Sequence, residues 1–166
     1  GGLGIHMLKM LKLNNIPAIG IDTKTEKFNT CNENGAEFSV SPMENDLKNK
    51  IADYSKSHDL DVVIDFVSSK SSLELGCSIL GKGGRLVTLG GSGEQFLANS
   101  AEMLVKELEL IGSRYCTKQE LKESLDLYAR GLIEPLVSVK TDFDGAEGLH
   151  DKIEKGEITG RAGILI

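Results

Sequence analysis

The stretch that decides the fold is GGLGIHMLKMLKLNNIPAIGID, residues 1–22. It begins with a glycine-rich turn, Gly1-Gly2-Leu3-Gly4, and continues into an apolar helix predicted over Ile5–Leu13. A buried strand is predicted over Ala18–Ile21, and the carboxylate of Asp22 follows it directly. A glycine turn, a helix and a strand in this order make most of a parallel βαβ unit.

The residue types in this unit point to a dinucleotide ligand. Glycines allow backbone N–H groups to approach a pyrophosphate at the positive end of a helix. An acidic residue about 20 positions later can accept hydrogen bonds from the adenine-ribose hydroxyls, and Asp22 stands at that distance from Gly1. The full fingerprint needs one more glycine and a strand before Gly1, so we expect a longer parent protein.

Composition places the chain among ordinary globular proteins. Its 166 residues, of which 40% are hydrophobic, suffice for about one domain with a real core. A net charge of −6 argues against a nucleic-acid-binding protein, which usually carries a basic patch. No apolar run reaches about 18 residues, so no membrane span is expected. The separated cysteines, Cys31, Cys77 and Cys116, indicate reduced thiols in a cytoplasmic protein rather than disulfides or a zinc site.

Predicted helices and strands alternate beyond Asp22. The clearest buried strand is Asp61–Val67, and a helix over Ser68–Leu80 separates it from a second buried strand, Arg85–Leu89. Such alternation indicates a parallel sheet covered on both faces. Before Asp61, the predicted elements are a helix over Thr23–Asn32, a strand over Glu37–Val40 and a helix after Pro42 with Met43, Leu47, Ile51 and Tyr54 on one face. After Leu89, they are a helical turn over Ala101–Val105, a strand over Glu107–Ser113 with one exposed face, and an amphipathic helix over Thr117–Ala129 with a Thr117–Glu120 capping box. A strand over Val137–Val139, a helix over Asp144–Glu154 and a strand over Gly163–Ile166 complete the chain. No linker or repeat interrupts them, so we predict one α/β domain over residues 1–166.

Several segments together carry a resemblance to a known family. They are GGLG at 1–4, GIDTKTEKF at 20–28, NGAE at 34–37, DVVIDFV at 61–67, GKGGRLVTLG at 81–90, LIGS at 110–113 and GRAGIL at 160–165. In order and spacing, the chain resembles the C-terminal cofactor-binding domain of the medium-chain dehydrogenase/reductase family, the zinc-type alcohol dehydrogenases. The resemblance implies a Rossmann fold, a doubly wound parallel sheet, with the first strand and the N-terminal catalytic domain missing from this chain.

The resemblance also implies a set of cofactor-binding residues, with no catalytic and no metal-binding residue among them. NAD is the expected cofactor, because a carboxylate at Asp22 repels a 2′-phosphate, although Lys24 and Lys27 could soften that preference. Zinc is expected only in the absent N-terminal domain. The implied contacts are Gly1, Gly2, Leu3, Gly4 and Arg161 for the pyrophosphate, Asp22, Lys27, Phe66, Val67 and Ser68 for the adenosine side, and Leu89, Gly90, Gly91, Ser113 and Tyr115 for the nicotinamide side.

The predicted function is that of the NAD-binding domain of a zinc-dependent alcohol or polyol dehydrogenase, an oxidoreductase that acts on a small alcohol or carbonyl compound. A zinc-free quinone or enoyl reductase of the same family stays open, as do a methyltransferase and a non-catalytic nucleotide-binding module. No nucleic-acid or membrane partner is expected. The resemblance implies a homo-oligomer, a dimer or tetramer, that pairs through the edge strand near Glu107–Arg114. The alternative is an edge strand that is protected from pairing by the charges of Lys106, Glu107 and Glu109, and the residues fit it nearly as well.

Other reactive side chains form no catalytic constellation in the sequence. His6 lies on an apolar helix and is predicted to be packed or partly exposed, whereas His58 and His150 stand in polar surroundings. Cys77 is predicted to be a buried small hydrophobic residue. Asp65, in a mostly apolar strand, is predicted to be a hydrogen-bonded structural carboxylate.

Overall fold

The computed structural model describes residues 1–166. In chain order, its elements are α1 (Gly2–Leu13), β1 (Ile19–Ile21), a 3₁₀ turn (Thr25–Lys27), α2 (Phe28–Glu33), β2 (Phe38–Val40), α3 (Leu47–Tyr54), β3 (Val62–Asp65), α4 (Lys70–Ile79), β4 (Arg85–Thr88), α5 (Ser100–Lys106), β5 (Glu109–Gly112), α6 (Lys118–Ala129), β6 (Val137–Thr141), α7 (Ala146–Glu154) and β7 (Arg161–Ile164). None of the helices has the length and apolar character that a bilayer crossing requires.

Two compact units make up the chain. The first unit consists of Gly1–Glu44 and Thr117–Ile166, and the second unit is Asn45–Cys116. Strands pair only in parallel in both units, as β1–β2 and β6–β7 in the first unit and as β3–β4–β5 in the second. The alternation of helices with parallel strands follows the prediction, while the assignment of residues 1–166 to one domain stays a prediction.

In the first unit, α1 and α2 cover the β1–β2 pair. The core between them contains Leu8, Cys31 and Ala36, with Ala18 packed against it. Gly20 of β1 lies opposite Ser39 of β2, and a Cβ at Gly20 would stand 2.9 Å from the Ser39 hydroxyl oxygen and 3.4 Å from the Cβ of Cys31 on α2. Glycine therefore allows the strand and helix layers to approach closely at this point.

The later part of the first unit is built on the β6–β7 pair. Its register runs from Val137 opposite Arg161 to Thr141 opposite Ile164, with an irregularity after Val137. Helix α6 begins with the predicted Thr117–Glu120 capping box. It buries no residue, so the predicted apolar face of this helix is exposed. That face consists of Leu121, Leu125 and Tyr128, which are 51%, 58% and 58% exposed.

In the second unit, α4 packs on the three-stranded sheet. The core consists of Leu73, Cys77, Leu80 and Leu86, which confirms the prediction for Cys77. A capping box between Ser69 and Ser72 begins α4. The register places Asp65 opposite Thr88 and Thr88 opposite Gly112, so the carboxyl ends of the three strands lie side by side.

Two predictions about this part of the chain are wrong. The helix after Pro42 begins only at Leu47, and Met43 is 79% exposed. The hydroxyl of Ser41 accepts the N–H of Met43, and such side-chain bonds to the backbone favour a turn over a helix. Strand β5 exposes all four residues rather than one face, and it is the edge strand of its sheet.

Candidate functional site

Helix α1 starts at the predicted glycine turn with its backbone donors open. Gly1 is the N-cap and has no side-chain cap, and no acidic residue stands in the first turn. Because the first N–H groups of a helix have no intrahelical acceptor, those of Gly2, Leu3 and Gly4 are free to bind an anion.

Asp22 follows β1 directly and lies beside the glycine turn. One carboxylate oxygen, Oδ2, is 3.8 Å from the backbone nitrogen of Gly1. The other, Oδ1, accepts a hydrogen bond of 3.0 Å from the backbone N–H of Lys24. This bond orients the carboxylate, while 23% of its side-chain surface stays exposed. The structure therefore brings together the two ends of the predicted motif.

Lys27 is buried close to this carboxylate. It is only 8% exposed, and its ammonium makes no hydrogen bond or ion pair in the protein. Burial raises the pKa of the neighbouring Cys31 thiol, and the charges of Asp22 and Lys27 both act on that thiol, so the three side chains share one neighbourhood. Since no protein group accepts from this ammonium, its three donors are left for solvent or for a ligand. Its position fits a ligand that brings oxygen atoms to Lys27.

Arg161, the first residue of β7, lies against the glycine turn. A Cβ on Gly2 would stand 2.8 Å from Arg161 Nε and 2.8 Å from the Gly160 carbonyl oxygen, so only glycine fits there. The guanidinium makes no hydrogen bond or ion pair in the protein. A cation at the positive end of a helix is unfavourable unless an anion lies near both. The residues of the first unit therefore fit a pyrophosphate at this position.

Lys24, by contrast, is fully engaged within the first unit. Its ammonium donates to the carbonyl oxygens of Lys155 at 2.8 Å and of Gly156 at 2.9 Å. These carbonyls follow α7, where a cation is favourable. The Lys24 ammonium is therefore not free to bind a ligand.

In the second unit, the remaining predicted residues lie at the carboxyl ends of β3, β4 and β5. The residues that follow these strands are Phe66–Ser68, Leu89–Gly91 and Ser113–Tyr115, and the register places them at one edge of the sheet. Ligands of open α/β sheets bind at this edge. Val67, Gly91, Ser113 and Tyr115 are exposed. The structure thus brings together the predicted residues of this unit.

The turn after β3 is organised by Asp65. Its Oδ1 accepts the N–H groups of Val67 at 2.8 Å and Ser68 at 3.0 Å, and its Oδ2 accepts the Ser72 hydroxyl at 2.7 Å. Asp65 is 6% exposed, which confirms the prediction of a structural carboxylate. The Ser68 hydroxyl bonds to that of Thr88. The polar groups of this turn are therefore used within the protein.

Further bonds join the turn after β4 to the turn after β3. A Cβ on Gly90 would stand 2.6 Å from the Ser68 hydroxyl oxygen, so a side chain there would displace this turn. The Ser92 hydroxyl donates to the Ser68 carbonyl, and Glu94 accepts the N–H of Lys70 at 2.8 Å. The sequence analysis missed Ser92 and Glu94, because contacts over 24 residues leave no local pattern.

Tyr115 projects from the end of β5. Its ring is 84% exposed, and the Arg114 guanidinium lies 4.4 Å from the ring centroid. Arg114 also donates a hydrogen bond of 2.7 Å to the Tyr115 hydroxyl. The predicted contact of the Ser113 and Tyr115 backbones with the nicotinamide carboxamide stays a prediction.

The sequence analysis predicted His6 to be packed or partly exposed but did not predict its hydrogen bonds. Its Nδ1 bonds to the Gly2 carbonyl, and its Nε2 accepts the backbone N–H of Leu136 at 3.1 Å. The second bond joins residues 130 positions apart, so no spacing signal could have revealed it.

The described residues do not form a metal site. No group of three or more histidine, cysteine or carboxylate side chains is placed to hold a metal ion. Cys31 and Cys77 are buried, Cys116 is exposed, and all three thiols are free. Zinc in proteins takes three or four such ligands at one point, so the residues of this chain do not fit it.

Comparison with known proteins identifies the family. The chain matches the family model described as zinc-binding dehydrogenase over residues 2–130. It is 27% identical over 164 residues to an NAD-dependent alcohol dehydrogenase of Sulfolobus acidocaldarius, covering 97% of this chain and 46% of that protein. It is also 27% identical over 164 residues to an acryloyl-coenzyme A reductase of Metallosphaera sedula, covering 95% of this chain and 47% of that protein.

A solved structure agrees with these matches. The alcohol dehydrogenase of Aeropyrum pernix aligns with a TM-score of 0.87 and 28% identity, covering 98% of this chain and 46% of that chain. The chain thus spans about half the length of the curated relatives it matches. The predicted Rossmann-type α/β fold and the family resemblance are confirmed. With its glycine turn beside Asp22 and its parallel βαβ units, the chain belongs to the zinc-binding dehydrogenase family.

Proposed function

We propose that residues 1–166 act as one NAD-binding domain of an alcohol dehydrogenase, whose substrate is a small alcohol or the corresponding carbonyl compound. The observation that carries this proposal is the Lys27 ammonium, which has no partner in the protein and lies in the neighbourhood of Asp22 and the open glycine turn. When bound, NAD would supply a nicotinamide that exchanges hydride with the alcohol carbon. The residues of this chain bind and orient the cofactor, and none is assigned proton transfer.

In the first unit, one pair of groups binds the pyrophosphate and another pair binds the adenine ribose. The N–H groups at the start of α1 and the Arg161 guanidinium bind the pyrophosphate. Asp22 accepts hydrogen bonds from the adenine-ribose hydroxyls, and Lys27 donates to the same ribose. A carboxylate there repels a 2′-phosphate, and Lys24 is engaged with two backbone carbonyls. Both facts favour NAD over NADP.

For the second unit, the proposal rests on the exposed carboxyl edge of its sheet. Phe66, Val67 and Ser68 line the adenosine side. Leu89, Gly90 and Gly91 lie against the nicotinamide and its ribose, and the backbones of Leu89, Ser113 and Tyr115 bind the carboxamide. The internal bonds of Asp65 support this assignment, because they hold the turn after β3 rigid.

A second candidate function is reduction of an activated double bond without zinc. It is favoured by the match to an acryloyl-coenzyme A reductase, which is as close as that to the alcohol dehydrogenase of S. acidocaldarius. We propose that zinc, in the alcohol dehydrogenase case, is held by residues outside this chain. Metal analysis of the intact protein separates the two functions. About one zinc per subunit and NAD-dependent alcohol oxidation support the first, and a metal-free enoyl reductase supports the second.

We further propose a cytoplasmic homo-oligomer, a dimer or tetramer, joined through β5. The free edge of β5 supports this contact, since β5 pairs only with β4 and its four residues are exposed. Two such edges related by a two-fold axis would extend the sheet. The free thiols support a reducing compartment.

Titration of the intact protein with NADH, followed by the fluorescence of the reduced nicotinamide, tests the cofactor proposal. Lys27→Met keeps the apolar stem and removes the ammonium. We expect about tenfold weaker NADH binding, from the loss of one charged hydrogen bond, with little change in thermal stability, because the ammonium makes no hydrogen bond or ion pair in the protein.

Lys24→Met is the matched control. It removes two backbone contacts and leaves the proposed ribose contact intact, so it should lower the melting temperature without weakening NADH binding. Wild-type protein that binds no NADH, or a Lys27→Met variant that binds it as well as wild type, would contradict the proposal.

A further inference from the structure

We infer that His6 is a positioning residue for the pyrophosphate site, since it ties the strand that carries Arg161 to the glycine turn. This role rests on the proposed function, because the pyrophosphate is the ligand that Arg161 would meet. It adds a residue that neither the glycine motif nor the family resemblance assigns. His6 touches no ligand atom in this role and acts through the backbone of Leu136.

The ring of His6 is bonded at both nitrogens. Its Nδ1 bonds to the Gly2 carbonyl, four residues earlier on α1. The backbone N–H of Leu136 donates to Nε2 at 3.1 Å. Since Nε2 accepts, the proton of the neutral ring is on Nδ1, which donates to Gly2. One ring thus joins the glycine turn to the residue before β6.

Leu136 is held from its other side by Arg161. The backbone N–H of Arg161 donates to the Leu136 carbonyl at 2.7 Å. Strands β6 and β7 then pair from Val137 opposite Arg161 onward. The side chain of Arg161 returns to the glycine turn, where its Nε lies 2.8 Å from a Cβ built on Gly2. Gly2, His6, Leu136 and Arg161 therefore form a closed circuit of contacts.

This circuit fixes where the Arg161 guanidinium stands relative to the free N–H groups of α1. Loss of the bond to Leu136 would let the start of β7 move away from α1. A guanidinium binds phosphate oxygens through directed hydrogen bonds, which a small displacement weakens. Ligands that contain a pyrophosphate should therefore lose affinity, whereas adenosine alone should not.

Lys9 supplies a matched control on the same helix. Its ammonium donates to the Glu134 carbonyl at 2.6 Å in an exposed position. It therefore also ties α1 to the segment before β6, but without a hydrogen bond to Leu136 or Arg161. A Lys9 variant tests whether any tether to this segment has the same effect.

The test compares His6→Asn, His6→Gln and Lys9→Met in the intact protein. The side-chain amide of asparagine can reach only the Gly2 carbonyl, whereas that of glutamine can accept the Leu136 N–H in place of Nε2. Affinities for NADH, ADP-ribose and adenosine are measured by calorimetry or by competition with NADH. We expect His6→Asn to weaken NADH and ADP-ribose about fivefold to tenfold and to leave adenosine unchanged. His6→Gln and Lys9→Met should stay within about twofold of wild type.

A double-mutant cycle with Arg161→Met completes the test. If His6 acts through Arg161, His6→Asn should cause no further loss of NADH affinity once the guanidinium is gone. An equal loss in both backgrounds, an equal loss for adenosine, or an equal loss in Lys9→Met would overturn the role of His6. Wild-type protein that binds no NADH overturns the proposed function and this role with it. Wild-type binding that His6→Asn leaves unchanged overturns this role alone.

Discussion

Helix α1 in the first unit and helix α4 in the second begin in opposite ways. Helix α1 begins at Gly1 with no side-chain cap. Helix α4 begins with a capping box between Ser69 and Ser72, and Glu94 accepts the N–H of Lys70 as well. Free helix donors cost stability when water or a ligand does not satisfy them. The capped start therefore serves the fold, and the open start is available to an anion.

Asp65 in the second unit and Asp22 in the first differ in a similar way, in how many hydrogen bonds they accept from the protein. Asp65 is 6% exposed and accepts three hydrogen bonds from its own unit. Asp22 accepts one backbone N–H and keeps 23% of its side-chain surface exposed. A site for a ligand thus keeps its acceptor capacity partly unused, while a structural carboxylate uses it internally.

The largest effect should come from Asp65→Ala. The change removes the acceptor of the buried Ser68 N–H, of the Val67 N–H and of the Ser72 hydroxyl, so we expect a loss of about 3 kcal/mol or more in the free energy of unfolding. Urea unfolding followed by far-UV circular dichroism measures it. Asp22→Ala serves as the comparison and should cost less than about 1 kcal/mol. Equal losses for the two variants would break the contrast between the carboxylates.

Asp22→Asn should instead change ligand binding. The amide can still accept the Lys24 N–H, but it lacks the charge for the ribose hydroxyls. We expect NADH affinity to fall about tenfold to a hundredfold, with little change in stability and with weaker discrimination against NADPH. Parallel titrations with NADH and NADPH measure both effects.

The exposed carboxylate of Asp53 in the second unit is the matched control. Asp53→Asn makes the same charge change next to Lys56 and should leave both affinities unchanged. Asp22→Asn protein with wild-type NADH affinity would refute the role of Asp22.

A third prediction concerns backbone donors of the second unit that have no partner, namely those on the free edge of β5. The N–H groups of Glu109 and Ser113 donate to the carbonyls of Gly84, just before β4, and of Thr88, so that of Leu110 points to the free edge. Leu110→Pro removes this donor, and an edge strand tolerates proline there. We expect a dimeric protein to become monomeric in light scattering, while Leu110→Val stays dimeric. A wild-type protein that is monomeric at high concentration would show that the edge is only exposed, not used.

The smallest effect should come from the capped start of α6. Hydrogen bonds from the backbone and then the side chain of Thr117 lower the pKa of Glu120. Because the folded-state pKa is the lower one, this carboxylate stabilises the fold above its ordinary titration range, and the contribution is lost as the pH falls through the folded value. Helicity measured from pH 7 to pH 3 should therefore decline slightly more in wild type than in Glu120→Gln. Identical pH profiles would show that the cap does not contribute.

The parts of the fold that could be predicted from the sequence depend on neighbours along the chain. Alternating helices and strands, the Thr117–Glu120 capping box and the buried Cys77 follow from periodicity and from short spacings, because the groups involved are a few residues apart. The closeness of Gly1 and Asp22 was also predictable, since a βαβ unit brings its glycine turn to the end of its second strand. The exposure of Met43 was not, because a local turn replaced the first part of its helix.

What the sequence by itself determined is the α/β class, the family and the positions of the glycine turn and its acidic partner. Only the tertiary structure decided which charges are engaged. It pairs Lys24 with carbonyls after α7, leaves the Lys27 ammonium without a partner in the protein and places Arg161 against Gly2. The hydrogen bond between His6 and Leu136 was likewise decided only by the tertiary structure. The physical reason is that these contacts join residues far apart in the chain. Packing creates them, and no local propensity or spacing records them.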